Sequence, residues 1–185
     1  MIGDVCGKGV PAAIFMASAR STIKSQALAI LEPAKVIHFA NKLIADDAQH
    51  GIFVTVFYAV YDPETRLLRF TNAGHTLPFL YRPKERTCAS LFNTNFPLGV
   101  FDPFTFEESA LQLEPGDTLV LYTDGVSEAL NPIREQFGTE RLVRLILEHG
   151  SRSPKELLDA IVADVRRFSG DIPQNDDITL LIVRV

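Results

Sequence analysis

Apolar positions repeat with two different periods along this chain, and the changes between them mark out its elements. Ile2 to Val5 is long enough only for the end of a strand, and Gly7 and Gly9 then mark a tight turn. Pro11 sits where a first helical turn tolerates it. Residues 12–29 read as a helix, with Ile14, Phe15, Ala19, Ile23 and Ala27 on apolar positions and Arg20 and Lys24 on another face. Glu32-Pro33 opens a second helix, on which Val36, Phe39, Ala40, Leu43 and Ile44 recur at helical spacing. The pattern then changes. Residues 53–61 are β-branched and aromatic, as a strand requires, and Asp62-Pro63-Glu64-Thr65 turns the chain back into a strand over 66–72. Asn72-Ala73-Gly74-His75 is a further turn, followed by short strands near 78–81 and 88–92. Residues 104–113 and 117–123 are expected to form another antiparallel pair, joined through Glu114-Pro115-Gly116. Amphipathic helices over 139–149 and 154–168 and an apolar strand over 178–185 complete the pattern.

A helix pair, a block of antiparallel strands, a second helix pair and a final strand do not make the strict alternation of a doubly wound fold. The order predicts an antiparallel sheet with helices packed outside it. No internal repeat, low-complexity segment or linker interrupts it, so residues 1–185 are expected to form one domain.

Three carboxylates stand at the ends of apolar runs. Asp124 follows 119–123, Asp4 lies in Ile-Gly-Asp-Val-Cys-Gly-Lys-Gly, and Asp176 lies in Asn-Asp-Asp-Ile-Thr before the terminal strand. An ionised carboxylate at the end of a buried strand is costly unless something positive lies against it. Two readings follow. The three acids line one oxygen-rich metal site, or they are unrelated turn aspartates, since Asp-Gly and Asn-Asp are ordinary turn chemistry.

Composition narrows the function classes. Hydrophobic residues at 46% and charged residues at 22% suit a soluble globular protein. A net charge of -5 disfavours nucleic acid as the main partner, because phosphate binding wants a basic face. No apolar run approaches the roughly 20 residues that cross a bilayer, and Met1 is not followed by a secretory leader. Cys6 and Cys88 are too few for a disulfide framework and wrongly spaced for zinc. A reducing, cytoplasmic setting without membrane or nucleic acid is expected. The glycines and lysine over 3–9 do not make a phosphate-binding loop, because Lys8 is followed by Gly9 and the leading glycine is misplaced.

Five ordered motifs resemble those of a known family. Gly-Asp-Val-Cys-Gly-Lys-Gly-Val-Pro-Ala-Ala comes first, then Asn-Ala-Gly-His-Thr-Leu-Pro, Leu-Tyr-Thr-Asp-Gly-Val-Ser-Glu-Ala, Phe-Gly-Thr-Glu-Arg-Leu and Asp-Asp-Ile-Thr-Leu-Leu-Ile-Val. Together they resemble the SpoIIE/RsbU branch of the PPM metal-dependent protein phosphatases, from Gly3 to Val183. The resemblance implies an α+β fold, a four-layer α/β/β/α sandwich of two antiparallel sheets flanked by helix pairs. It also implies a two-ion Mn²⁺ or Mg²⁺ centre. By the same resemblance Asp4 bridges both ions, the carbonyl of Val5 binds the second, and Asp124 and Asp176 complete the first. Hard divalent cations prefer such oxygen ligands. A water between two cations is acidified, so a hydroxide-like nucleophile is implied that attacks a phosphoserine or phosphothreonine in line.

Such a mechanism needs no nucleophilic cysteine, and Cys6 is expected to be a small buried residue beneath the site. Asp177 and Gly125 are expected to support the ligands. His75 is either a general acid or, as favoured, a hydrogen-bonding turn residue. Lys8 either draws a phosphate or faces solvent. His38, His50 and His149 fall on helix faces or ends.

Two departures from the family pattern alter the expectation. The family's usual segment before the first motif, with strands and with acids that orient metal-bound waters, is not in this sequence, so an N-terminally truncated domain is expected, with an open sheet edge that would support a homodimer. A cysteine also occupies position 6, where a more distant branch places a histidine. The substrate implied by the branch is a phosphorylated regulatory protein, an anti-anti-sigma factor with a STAS domain, in signal transduction and stress response. The alternative is a catalytically weak phosphoprotein-binding module of the same fold. A metal-dependent phosphodiesterase or nuclease is a third reading, disfavoured by the acidic balance.

Overall fold

The computed structural model describes residues 1–47, 51–174 and 176–185. In chain order the elements are β1 (Ile2–Val5), α1 (Val10–Ala27), α2 (Pro33–Asp47), β2 (Val54–Asp62), β3 (Leu67–Ala73), β4 (Phe79–Arg82), β5 (Thr87–Ser90), β6 (Ser109–Gln112), β7 (Thr118–Tyr122), α3 (Asp124–Ser127), α4 (Thr139–His149), α5 (Pro154–Ser169) and β8 (Leu180–Arg184). They divide into two compact units interleaved along the chain, residues 1–75 with 92–113 and residues 76–91 with 114–185.

The first unit is a four-stranded antiparallel sheet in the order β1-β2-β3-β6 with α1 and α2 packed on it. Its core joins Ala19 and Ile23 of α1 and Val36, Ile37, Ala40 and Ile44 of α2 to Val54, Val56 and Ala73 of the sheet. The expected apolar faces need correction. Ile14 is 66% exposed, because it lies about half a turn out of phase with the buried Ile23. Phe39 and Leu43 lie on the flank of α2 and are exposed, whereas Ile37 is buried completely.

The expected pairing of 104–113 with 117–123 does not form. Strand β6 pairs with β3, and β7 pairs with β4 and β8 in the other sheet. Glu114-Pro115-Gly116 is therefore a passage between sheets. It closes a local turn, with the Asp117 amide donating to the Glu114 carbonyl at 3.0 Å and the Glu114 amide to the Asp117 carboxylate at 3.0 Å, while the Gly116 amide donates to the Val185 carbonyl at 2.6 Å. Residues 104–108 form no strand, and at Glu107 side chains take the backbone groups that a strand partner would take. The Asn95 side-chain carbonyl accepts from the Glu107 amide at 2.9 Å, and the Thr71 hydroxyl donates to the Glu107 carbonyl at 2.7 Å.

The second unit is an antiparallel sheet in the order β5-β4-β7-β8, with α4 and α5 packed on it. Strand β7 is inner and buried at all five positions, as its unbroken apolar run requires. Leu142, Ile146, Leu157 and Ile161 of the two helices are wholly buried and pack with Val120 and Tyr122. Each contributes about 2 kcal/mol by area. Helix α5 starts on a capping box in which the Ser153 hydroxyl accepts from the Glu156 amide and the Glu156 carboxylate accepts from the Ser153 amide. No helix among the described residues is long and apolar enough to cross a membrane. Two antiparallel sheets with their helix pairs bear out the expected fold class.

Candidate functional site

In the second unit, the end of β7 and the start of β8 are locked together by one side chain. The Thr123 hydroxyl donates to the Asp177 carbonyl at 2.7 Å and accepts from the Thr179 amide at 2.9 Å, while the Thr123 amide donates to the Thr179 carbonyl at 3.1 Å. Thr123 is also the N-cap position of α3, a single helical turn where the sequence suggested only an Asp-Gly turn. Asp124 is the first residue of that turn, and its carbonyl accepts from the Glu128 amide at 2.7 Å. Gly125 follows because nothing larger fits. A Cβ there would stand 2.4 Å from the Asp177 carbonyl oxygen and 3.1 Å from that of Asp176. The loops carrying Asp124 and Asp176 are thus in backbone contact.

The two carboxylates differ in their surroundings. One Asp176 oxygen accepts from the Asp177 amide at 2.9 Å, and the Asp176 carbonyl accepts from the Gln174 side chain at 2.7 Å. Asp124 Oδ1 is buried and finds no hydrogen-bond donor among the described residues. A buried carboxylate oxygen without a donor is expensive unless a cation lies against it. Asp177 contributes backbone, its carbonyl to Thr123 and its amide to Asp176, while the residue itself is exposed. Nearby, the Thr76 hydroxyl donates to the Tyr122 carbonyl, which ties β7 to the segment after the Asn-Ala-Gly-His turn.

In the first unit, Asp4 stands on β1 opposite Thr55 of β2. One Asp4 carboxylate oxygen accepts from the Val5 amide at 2.9 Å, which turns the side chain toward the end of the strand. The Thr55 hydroxyl lies 3.3 Å from the Asp4 carbonyl and 2.9 Å from Nδ1 of His75. His75 is buried and held at its backbone by Asn72, whose side chain accepts from the His75 amide at 2.7 Å and donates to the His75 carbonyl at 3.0 Å. Gly74 has φ of 72° and packs so closely on Pro97 that a Cβ would stand 2.6 Å from it. His75 is thereby a built-in member of the turn.

The expectation for Cys6 is corrected: it is exposed, because β1 ends at Val5 and the chain turns outward through Gly7. Lys8 is exposed in the same turn. His38 is on α2, where its Nδ1 lies 2.9 Å from the Phe104 carbonyl, and His149 ends α4. His50 lies outside the described residues. Among the described residues, no group of three or more His, Cys, Asp or Glu side chains is arranged to hold a metal ion. The donors fit such an ion by chemistry: carboxylates, a backbone carbonyl and one buried oxygen without a donor. Thr55, Asn72 and Thr123 join the site through the fold. Their one signal in the sequence is position: Asn72 and Thr123 stand within two of the motifs, and Thr55 lies in the strand over 53–61.

The sequence matches the profile of the SpoIIE family (Stage II sporulation protein E) over residues 1–185. The chain belongs to the SpoIIE family. It is 31% identical over 185 residues to the phosphoserine phosphatase RsbU of Bacillus subtilis, covering 99% of this chain and 54% of RsbU. It is 26% identical over 189 residues to the phosphoserine phosphatase RsbP of the same organism, covering 45% of that protein. The chain therefore spans about half the length of these curated relatives. Its fold is similar to that of the SiaA-PP2C domain of Pseudomonas aeruginosa, with a TM-score of 0.86 at 24% identity, over 99% of this chain and 73% of that one. At that identity the likeness speaks for the fold alone.

Proposed function

We propose that this SpoIIE-family chain is a metal-dependent serine/threonine phosphoprotein phosphatase domain. The observation that carries the reading is Asp124 Oδ1, buried without a hydrogen-bond donor among the described residues, on a loop clamped to the one that bears Asp176. Asp4, the Val5 carbonyl, Asp124 and Asp176 are the proposed ligands of two Mn²⁺ or Mg²⁺ ions, in the roles the family resemblance gives them. When bound, the ions acidify a water for attack on phosphorus and offset charge on the phosphoryl oxygens.

The chain's own residues orient this chemistry. Thr123 holds the two loops in register, and Gly125 lets their backbones approach. Asp177 supplies backbone bonds to Thr123 and Asp176. His75 is a positioning residue: through Thr55 it fixes the end of β1 where Asp4 and Val5 stand. No cysteine nucleophile is called for.

The substrate in this reading is a phosphorylated regulatory protein, with a STAS-domain anti-anti-sigma factor as the specific candidate. Support for that class comes from the relatives named phosphoserine phosphatases. Strand β1 is the outer strand of its sheet, so a homodimer through that edge belongs to the same proposal. The catalytically weak binding module is disfavoured because Asp4, Asp124 and Asp176 are all retained.

The test is phosphate release from a phosphoserine peptide, with and without Mn²⁺, by this chain and its Asp124→Ala variant. Release that needs Mn²⁺ and is lost in the variant is expected. A folded chain that binds Mn²⁺ yet releases no phosphate would overturn the reading.

A further inference from the structure

Beside the carboxylate loops of the second unit lies an open cleft, large enough to take a side chain. Gly125 and Asp176 line it, so it opens onto the proposed catalytic loops. Leu130, Val165 and Ile178 give it apolar walls. Arg166, in the last turn of α5, is the one cation lining it among the described residues. The next residue, Arg167, is tied to Asp164 at 2.9 Å, whereas the Arg166 side chain pairs with none of the described residues. In a chain of net charge -5, an arginine left open in such a cleft calls for an anionic group from outside. Of the two carboxylates that line the cleft, Asp176 is assigned to the ions in the proposed function, and Glu128 disfavours a second negative charge, so one acid is the occupant that fits.

We propose that this cleft binds one acidic side chain of the phosphoprotein substrate, adjacent in sequence to the phosphorylated residue, with Arg166 as its ion-pair partner and as a specificity-determining residue. The inference rests on the phosphatase reading and deepens it. The reacting phosphate goes to the carboxylate loops, and the neighbouring acid goes to the cleft. An ion pair at an exposed arginine is worth up to about five-fold in affinity.

The test uses a set of phosphoserine peptides in which each flanking position in turn is Glu, Ala or Lys. With Mn²⁺, the wild-type chain is expected to show a KM about five-fold lower for Glu than for Ala at one flanking position, with kcat unchanged. Arg166→Ala brings that ratio to one, Arg166→Glu shifts the preference to Lys at the same position, and Arg167→Ala keeps the wild-type ratio. Turnover without preference at any position overturns the inference and leaves the phosphatase reading standing. An equal loss on every peptide in Arg166→Ala also overturns it, because the arginine would then act on the phosphoryl group. Fluorescence anisotropy of the same peptides without Mn²⁺ reads the discrimination independently of turnover. A chain that discriminates in binding but hydrolyses none of the peptides would sink the phosphatase reading alone, and one that does neither would sink both.

Discussion

The hydroxyl of Thr123 donates to the carbonyl of Asp177 at 2.7 Å, across a sequence separation of 54 residues. With the return bond from the Thr179 amide, this one side chain sets the spacing of the loops that carry Asp124 and Asp176. Thr123→Val leaves two backbone groups without their partner, a loss of about 2 kcal/mol or more. A fall in Tm of about 4–8 °C is expected, with Mn²⁺ affinity about 10–100-fold weaker. Thr123→Ser restores both. Thermal melts and metal titration check this, and a variant that melts and titrates like the wild type would refute the clamp.

Asp124→Asn removes the negative charge from a half-buried carboxylate whose buried Oδ1 has no hydrogen-bond donor among the described residues. Without metal, the variant is expected to be as stable as the wild type or more so, because a costly buried charge is gone. With Mn²⁺ the order reverses. At about a hundred times its dissociation constant the ion adds about 2.7 kcal/mol to the wild type alone. EDTA abolishes the difference. Melts at both conditions decide it, and an Asn variant that melts well below the metal-free wild type would count against a cation site.

Gly125→Ala places a Cβ 2.4 Å from the Asp177 carbonyl oxygen, a distance that backbone movement alone can relieve. The expected result is a loss of about 1–3 kcal/mol, from overpacking, and a greater loss of phosphatase activity than of stability, because the displaced backbone carries Asp176. Full activity in a folded Ala variant would show that the close approach has no part in the site.

The two cysteines should behave oppositely. Burial pushes the Cys88 thiol up to about 11, while Cys6 is exposed. At pH 8 iodoacetamide is expected to modify Cys6 well before Cys88, as peptide mass spectrometry reports. Cys6→Ser should retain phosphatase activity. Burial also raises the Tyr122 phenol to about 12. For both groups the fold favours the protonated form. Their contribution is whole below the ordinary values near 9 and 10, and is lost as pH rises through about 11 and 12. Cys88→Ser should flatten the first part of that alkaline decline, and an unchanged decline would argue against it.

His75 is expected to act through position. Loss of its buried ring and of the Nδ1 contact with Thr55 predicts that His75→Ala costs about 1–3 kcal/mol of stability, while the backbone bonds to Asn72 remain. The pH–rate profile should keep the same limbs in His75→Ala, at a lower plateau. Loss of a limb near neutral pH in this variant would make His75 the general acid instead.

Local pattern carried most of the elements. Both helix pairs, the β2–β3 hairpin and the buried strand β7 were legible because their period and residue type agree with their place in the fold. The partner of β6 was not legible. Glu114-Pro115-Gly116 does close a turn, with the Asp117 amide donating to the Glu114 carbonyl at 3.0 Å, but the strands on either side of it pair in different sheets. Exposure of Ile14 was hidden for a related reason, since periodicity gives an apolar phase and packing selects which phase is covered.

The acids Asp4, Asp124 and Asp176 are legible as candidate ligands in the sequence alone, because their motifs stand in one order and each ends or begins an apolar run. Thr123 and the open Arg166 acquire their roles only in the folded chain, as does the physical reason for Gly125. A threonine becomes a clamp when the start of β8 arrives beside it, and a glycine becomes obligatory when another backbone comes within 2.4 Å of its absent Cβ. An arginine becomes a recognition group when its neighbour takes the nearby aspartate and leaves it facing a cleft. Sequence names the chemical groups. Long-range backbone contact, which no local pattern encodes, decides which of them meet.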